Sequence, residues 1–248
     1  MILFRAFLVA LGLVVVWQAV VVIFAPAPFM LPGPDRVLKA LQERPDLWQV
    51  HAVTTLAETV IGLFAGAALG CVVALGVTFL PLTKRFVMPA MVVSQAIPVF
   101  AIAPLLALWF GFGLASKVVM ATIAIFFPVA SAFQDGLART DPQLLDIARL
   151  YRAPHWRQVL LLRLPAALPA LIIGGLLAAV YAPVGAMIGE WVGASSGLGY
   201  AMLLANGRSQ TDVMFAALFI LAAMSVLLRA AVDLVTANLT PWAPETAT

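Results

Sequence analysis

Apolar residues dominate this chain in long runs, not in the short alternations of a soluble fold. Six runs stand out, at roughly 6–25, 57–80, 86–110, 116–134, 168–189 and 213–235. Each is close to the about 20 residues that carry a helix across a bilayer. The pattern predicts an all-α membrane protein with six transmembrane helices, organised as a single transmembrane domain over 1–248. The first run, Phe7 to Ala25, is longer than the apolar core of a secretory signal and is read as a retained helix. Residues 26–50 form the first loop, with Pro26, Pro28, Pro32, Pro34 and Pro45. Its basic residues are matched by Asp35, Glu43 and Asp46.

One polar stretch breaks the pattern. Residues 134–165 carry Arg139, Arg149, Arg152, Arg157 and Arg163, over a third of the 14 basic residues. Asp141 followed by Pro142 is a helix start, an N-cap acceptor before a proline at the first helical position. Leu144, Ile147, Ala148 and Tyr151 then recur on one helical face. Pro154 ends this helix and opens a second, roughly 155–163, which Pro165 closes. Two short helices at an angle result, each about 15 Å long at 1.5 Å per residue and too short to span. They read as a docking surface, or as an amphipathic loop lying on anionic lipid.

Charge asymmetry sets an orientation. With the N-terminus inside, Arg5, Lys84, Arg85, the five loop arginines and Arg229 are cytoplasmic. Arg36, Lys39, Arg44, Lys117 and Arg208 then lie outside. Positive residues concentrate on the cytoplasmic side, so both termini are expected there.

Composition narrows the function. The chain is 64% hydrophobic and 10% charged, which excludes an ordinary soluble domain. The net charge of +3 is small, and no basic stretch with interleaved aromatics suggests nucleic acid. Cys71 is the only cysteine, and His51 and His155 have no ligand spacing, so no metal or cofactor is expected in the chain. Gly193 to Gly197 matches G-x-S-x-G around Ser195, but an apolar run precedes it where a nucleophile elbow needs a strand. An enzyme is not expected. A secondary transporter would usually show internal repeats and more embedded charge.

Two features mark a solute route. The third run holds Pro89, Pro98 and Pro104, with Ser94 and Gln95 among them. Each proline removes a backbone donor, and the freed carbonyls need protein or cavity water. Such a helix fits beside a pathway, or is a kinked packing helix. Glu190, after the fifth run in a glycine-rich stretch, reads as a gate or a contact for a delivering protein, or as a solvated loop charge. No arginine or lysine is expected within the spans near this route. Gly62, Gly66 and Gly70 sit four apart in the second run, a spacing that lets helix backbones approach.

Asp146 to Trp156, closed by Leu164 and Pro165, resembles the EAA loop of the integral membrane subunits of ABC importers. Asp146 falls on that motif's acidic position, Ala148 on its third position and Arg152 on its glycine. Ile147 stands for its first alanine and Leu162 for its isoleucine. Gln95 to Pro98 with Ala103 to Gly113, and Leu164 to Pro169 with Gly174 and Gly175, look like the nitrate, sulfonate and taurine branch. Ala182 to Tyr200 with Ala205 to Asp212 looks like members for thiamine-precursor pyrimidines.

The resemblance implies a permease subunit of an ATP-driven importer in the cell inner membrane. Its cytoplasmic loop would dock on a separate ATPase dimer through Asp146, Ala148, Arg149, Arg152, Ala153, Pro154, Trp156, Leu164 and Pro165. The turn that the motif glycine makes would pass to Ala153 and Pro154. ATP and Mg would sit on the ATPase, since no G-x-x-x-x-G-K-[ST] occurs here. A second copy of the permease would complete the pathway, and an extracytoplasmic binding protein would deliver the solute. The substrate implied is a thiamine-precursor pyrimidine or similar heterocycle, with an aliphatic sulfonate, taurine or nitrate as the alternative.

Overall fold

A computed structural model describes residues 2–242, without the side chains of residues 2–7 and of Gln95. All regular elements among them are helical: α1 Ile2–Phe24, α2 Pro34–Glu43, α3 Pro45–Phe79, α4 Lys84–Ala96, α5 Val99–Phe110, α6 Leu114–Ala138, α7 Pro142–Leu150, α8 His155–Gln158, α9 Leu164–Trp191, α10 Leu198–Gly207 and α11 Thr211–Thr236.

Helix α6 is the axis, held between α3 and α9. Glycines set the spacing. A Cβ on Gly70 would meet the Phe126 carbonyl at 2.8 Å and the Ala130 nitrogen at 3.0 Å. On the other side Gly174 backs onto Ala132, and Gly185 onto Ala121. The Gly62, Gly66, Gly70 row is therefore used within the chain, against α6. Small side chains fill what remains: Ala121, Ile125, Val129, Ala178, Ala179 and Ala182 are buried in one cluster. This is the close packing that small residues permit where lipid supplies no hydrophobic drive between helices.

Among the described residues, four continuous helical stretches are long and apolar enough to cross a membrane: 45–79, 114–138, 155–191 and 211–236. Residues 81–94 and 99–110 form a pair bent by 99°, a broken span or a re-entrant hairpin. The part of α1 described with side chains, 8–24, is apolar. It lies against α11, where Trp17 stacks on Phe215 and Phe219 with centroids 5.8 and 5.7 Å apart.

Three expectations about boundaries change. The first loop contains α2 and the start of α3, because Pro34 and Pro45 each occupy a first helical turn, where the missing N–H costs nothing. Val37 and Ala40 turn inward from α2, and Trp48 Nε1 donates to the Ala40 carbonyl at 3.1 Å, tying α2 to α3. The stretch after the fifth run contains α10. Lastly, Pro165 does not close a separate second helix. The chain stays helical from His155 to Trp191 through a π turn, Val159–Arg163, with Leu164 N donating to the Val159 carbonyl. Widening the turn there lets Pro165 enter at the start of α9 without breaking the helix.

Candidate functional site

The polar centre of the molecule is where α3, α6 and α9 meet the N-terminus of α10. Glu190 is 0% exposed, in the last turn of α9. Thr55 Oγ1 donates to its Oε1 at 2.6 Å, and Gly199 N donates to its Oε2. Leu198 N donates to Thr55 Oγ1 at 2.8 Å, and Gly197 N to His51 Nδ1 at 3.0 Å. Three consecutive N–H groups at the start of α10 thus meet side chains of α3 and α9. A helix cannot supply these donors with partners itself. Gly197 has φ +114 and its Cα faces the Glu190 carboxyl, so only glycine fits. One helical turn below Thr55, Lys117 Nζ pairs with Glu58 Oε1 at 2.9 Å, both side chains buried.

These contacts revise two expectations. Glu190 is not a solvated charge, and complete burial removes it from any surface a delivering protein could touch. Lys117, at the start of the fourth run, is a buried lysine at 5% exposure within α6, where no lysine was expected within the spans; it is tolerated because Glu58 neutralises it. Ser195 is exposed in the segment between α9 and α10, and His51 spends Nδ1 on Gly197; neither forms a nucleophile–base pair with the other among the described residues.

The break between α4 and α5 makes a second feature. Ile97 is extended at ψ 114 ahead of Pro98, as sterics before proline favour. Ser94 and Pro98 line a cavity of about 290 Å³ with Phe126, Phe127 and Tyr181. Gln95 was expected with them; its side chain lies outside the described residues.

The arginine-rich loop is as built as the sequence suggests. Asp141 caps α7, its Oδ1 accepting from Gln143 N at 2.8 Å. Asp146 pairs with Arg149 at 2.8 Å on the exposed side. The turn falls on Arg152 itself, at φ +52, one residue before Ala153 and Pro154. Ala153 N donates to the Ala148 carbonyl and Arg152 N to that of Arg149, both at 2.9 Å, a Schellman closure. Its left-handed residue is the motif's glycine position. Gln158 Nε2 then donates to the Ala153 carbonyl at 2.8 Å, and the Arg157 guanidinium lies over the Trp156 ring at 5.1 Å. Of the predicted apolar face only Ala148 is buried; Ile147 and Tyr151 are exposed, as is neighbouring Leu150.

Four long apolar helices, a bent helix pair and a capped helical loop make up the architecture of a multi-pass membrane protein. The chain belongs to the family of binding-protein-dependent transport system inner membrane components, which matches residues 59–243. It is 44% identical to a probable ABC transporter permease protein of Haemophilus influenzae, over 89% of this chain and 90% of that one. It is 33% identical to the formylaminopyrimidine transport permease protein ThiX of Halalkalibacterium halodurans, over 94% and 93%. It is 28% identical to the taurine transport system permease protein TauC of Escherichia coli, over 93% and 86%. A solved MetNI methionine ABC transporter chain shares the fold, with TM-score 0.68 and 22% identity over 80% of this chain and all of that one. The protein is thus an ABC importer permease for a small solute, a multi-pass inner-membrane subunit and not an enzyme; ATP hydrolysis belongs to a separate subunit.

Proposed function

We propose that the chain acts as one of two identical permease subunits, with the solute passing between them from an extracytoplasmic binding protein. Residues 1–248 form one transmembrane domain with both termini cytoplasmic, and α7 to α8 dock on the ATPase dimer that binds ATP and Mg. The observation that carries the docking is the unpartnered face of α7. Leu150, the last residue of α7, and Tyr151, its C-cap, are each 81% exposed at the end of a helix that is capped at its start and Schellman-closed at its finish. A rigid element that shows apolar side chains and carries exposed Arg149 and Arg152, with exposed Arg157 in the next helix, is equipped to meet a protein groove with carboxylates at its rim. Asp146, Ala148, Ala153, Pro154, Trp156, Leu164 and Pro165 then act by shaping or lining that surface.

The transported solute is a thiamine-precursor pyrimidine or a similar small heterocycle. The identity to ThiX supports this reading. The similarity to TauC, and to the putative aliphatic sulfonates permease SsuC of Bacillus subtilis at 28%, favours a sulfonate as the second reading. Growth of a thiamine-precursor auxotroph on limiting hydroxymethylpyrimidine, with and without the gene, decides between them. Loss of growth is expected on deletion. Intact growth with loss of sulfonate use overturns the heterocycle reading.

A further inference from the structure

We infer that the cavity between the α4–α5 break, α6 and α9 is the substrate-contact site, shaped for a flat, uncharged heterocycle that donates hydrogen bonds. The inference rests on the permease reading and names the place and the chemistry. Three aromatic rings supply the walls: Phe126 and Phe127 from α6, edge to face at 6.5 Å, and Tyr181 from α9, which is 55% exposed. A stacked ring is what such walls hold best.

Proline leaves two backbone carbonyls at this wall without their helical donor. Pro128 has no N–H to give the carbonyl of Ala124, one helical turn earlier, and both residues line the cavity. Pro98 has none to give the carbonyl of Ser94, and both line it as well. Ser94 Oγ spends its proton on the Met91 carbonyl at 2.7 Å, so its oxygen is left to accept. The Tyr181 hydroxyl can give or take one bond. No charged side chain is among the lining residues. A sulfonate placed here would find no cation, only the N–H groups at the start of α5, to offset its desolvation. An aminopyrimidine would meet carbonyls with its N–H groups and aromatic faces with its ring. Lys117, the buried cation of α6, does not alter this balance, since Glu58 already neutralises it.

The test uses the complete importer, permease with its ATPase and binding protein, in proteoliposomes, with formylaminopyrimidine and taurine as probes. Tyr181→Ala and Phe127→Ala are each expected to lower pyrimidine uptake at limiting concentration by about tenfold, equivalent to about 1.4 kcal/mol. Tyr181→Phe, which keeps the ring, should stay within about threefold. Pro128→Ala is the sharper probe. It restores the donor to Ala124, so it should raise the melting temperature while lowering pyrimidine uptake. A protein that only lost its fold would lose both. Unchanged pyrimidine uptake in Tyr181→Ala and Phe127→Ala, or in Pro128→Ala, overturns the site. Taurine uptake by the wild type that depends on Tyr181 overturns the ligand class. A wild-type complex that hydrolyses ATP yet carries neither probe overturns the substrate reading itself, and does so before any variant is made.

Discussion

Lys117 on α6 and Glu58 on α3 form an ion pair with Nζ and Oε1 2.9 Å apart and both side chains buried. The Glu58 carboxyl also lies beside that of Glu190, and its Oε2 has no donor among the described residues. The pair bridges two membrane helices whose glycines already bring their backbones together. It adds a polar contact to the register of α3 against α6 that the close glycine contacts already set.

Removing one partner strands the other charge. Lys117→Met is expected to destabilise the protein by about 3–5 kcal/mol, the scale for breaking a buried pair. The double variant Lys117→Met with Glu58→Gln should recover most of that loss. Thermal unfolding in detergent across the four-member cycle reads the coupling. A loss in the double variant equal to the sum of the two single losses would show that the two residues do not act as a pair.

Glu190 organises α10 through the Gly199 N–H and through Thr55. Glu190→Ala leaves the Gly199 N–H without its acceptor and leaves Thr55 only the His51 carbonyl at 3.1 Å, at a cost of about 1–3 kcal/mol for the buried N–H left unsatisfied. The linked segment 192–197 should then become accessible to protease in intact vesicles. Glu190→Gln keeps an acceptor oxygen and should protect the segment better than alanine does. Identical cleavage of all three proteins would remove Glu190 from this positioning role.

How far the sequence exposes such a site depends on the range of its contacts. The apolar runs, the Asp141 cap and the proline break at Pro98 are local, and composition and spacing reveal them. The polar centre is not local. Thr55 and Glu190 are 135 positions apart, and Lys117 and Glu58 are 59 apart. A lone carboxylate at the end of an apolar run looks the same in sequence whether it is solvated or buried among backbone donors. Helix α10 was hidden for the same reason, because its N-terminal acceptors come from α3 and α9. The helix starts at Pro34 and Pro45 carried a readable signal, a proline at the first turn, which the density of prolines in that stretch masked. The continuity from His155 to Trp191 depends on a π turn, and residue pattern alone does not distinguish that from a stop at Pro165.

The glycines of α3 and α9 divide by what faces them. Gly70→Leu puts a side chain into the Phe126 carbonyl and the α6 backbone. Overpacking there should cost about 1–3 kcal/mol or more, since backbone cannot move aside as a flexible side chain can. Gly175 faces open space, so Gly175→Ala should stabilise α9 by up to about 1 kcal/mol through helix propensity. Melting temperatures moving in opposite directions would confirm the packing; a drop in both would contradict the open face at Gly175.

Arg152 holds a left-handed backbone, φ +52, that an L side chain adopts at a cost. Arg152→Gly relieves it and should stabilise the turn by roughly 0.5–1 kcal/mol. Amide exchange of Ala153, whose N–H closes the Schellman bond, should slow. If the arginine also contributes charge to docking, ATPase binding by the variant will weaken as the loop itself becomes firmer. Faster exchange at Ala153 would mean that the arginine side chain, not the backbone geometry, holds the turn.

Asp146 stands at the acidic position of the loop and is tied to Arg149 at 2.8 Å on its exposed face. An exposed pair of this kind contributes only about 0–1 kcal/mol, so its loss will not unfold α7, which keeps the Asp141 cap and the Schellman closure. Reversing the sign with Asp146→Lys does more at an interface, where a misplaced charge can cost several kcal/mol. The lysine also repels Arg149 and frees its guanidinium to turn toward the partner. The expected result is a permease that reaches the membrane and melts normally, yet captures less ATPase in a detergent pull-down and fails to couple ATP turnover to uptake. Asp146→Asn, which removes the charge without reversing it, should fall between the two. Normal uptake together with normal ATP turnover in Asp146→Lys would refute the coupling role of this face.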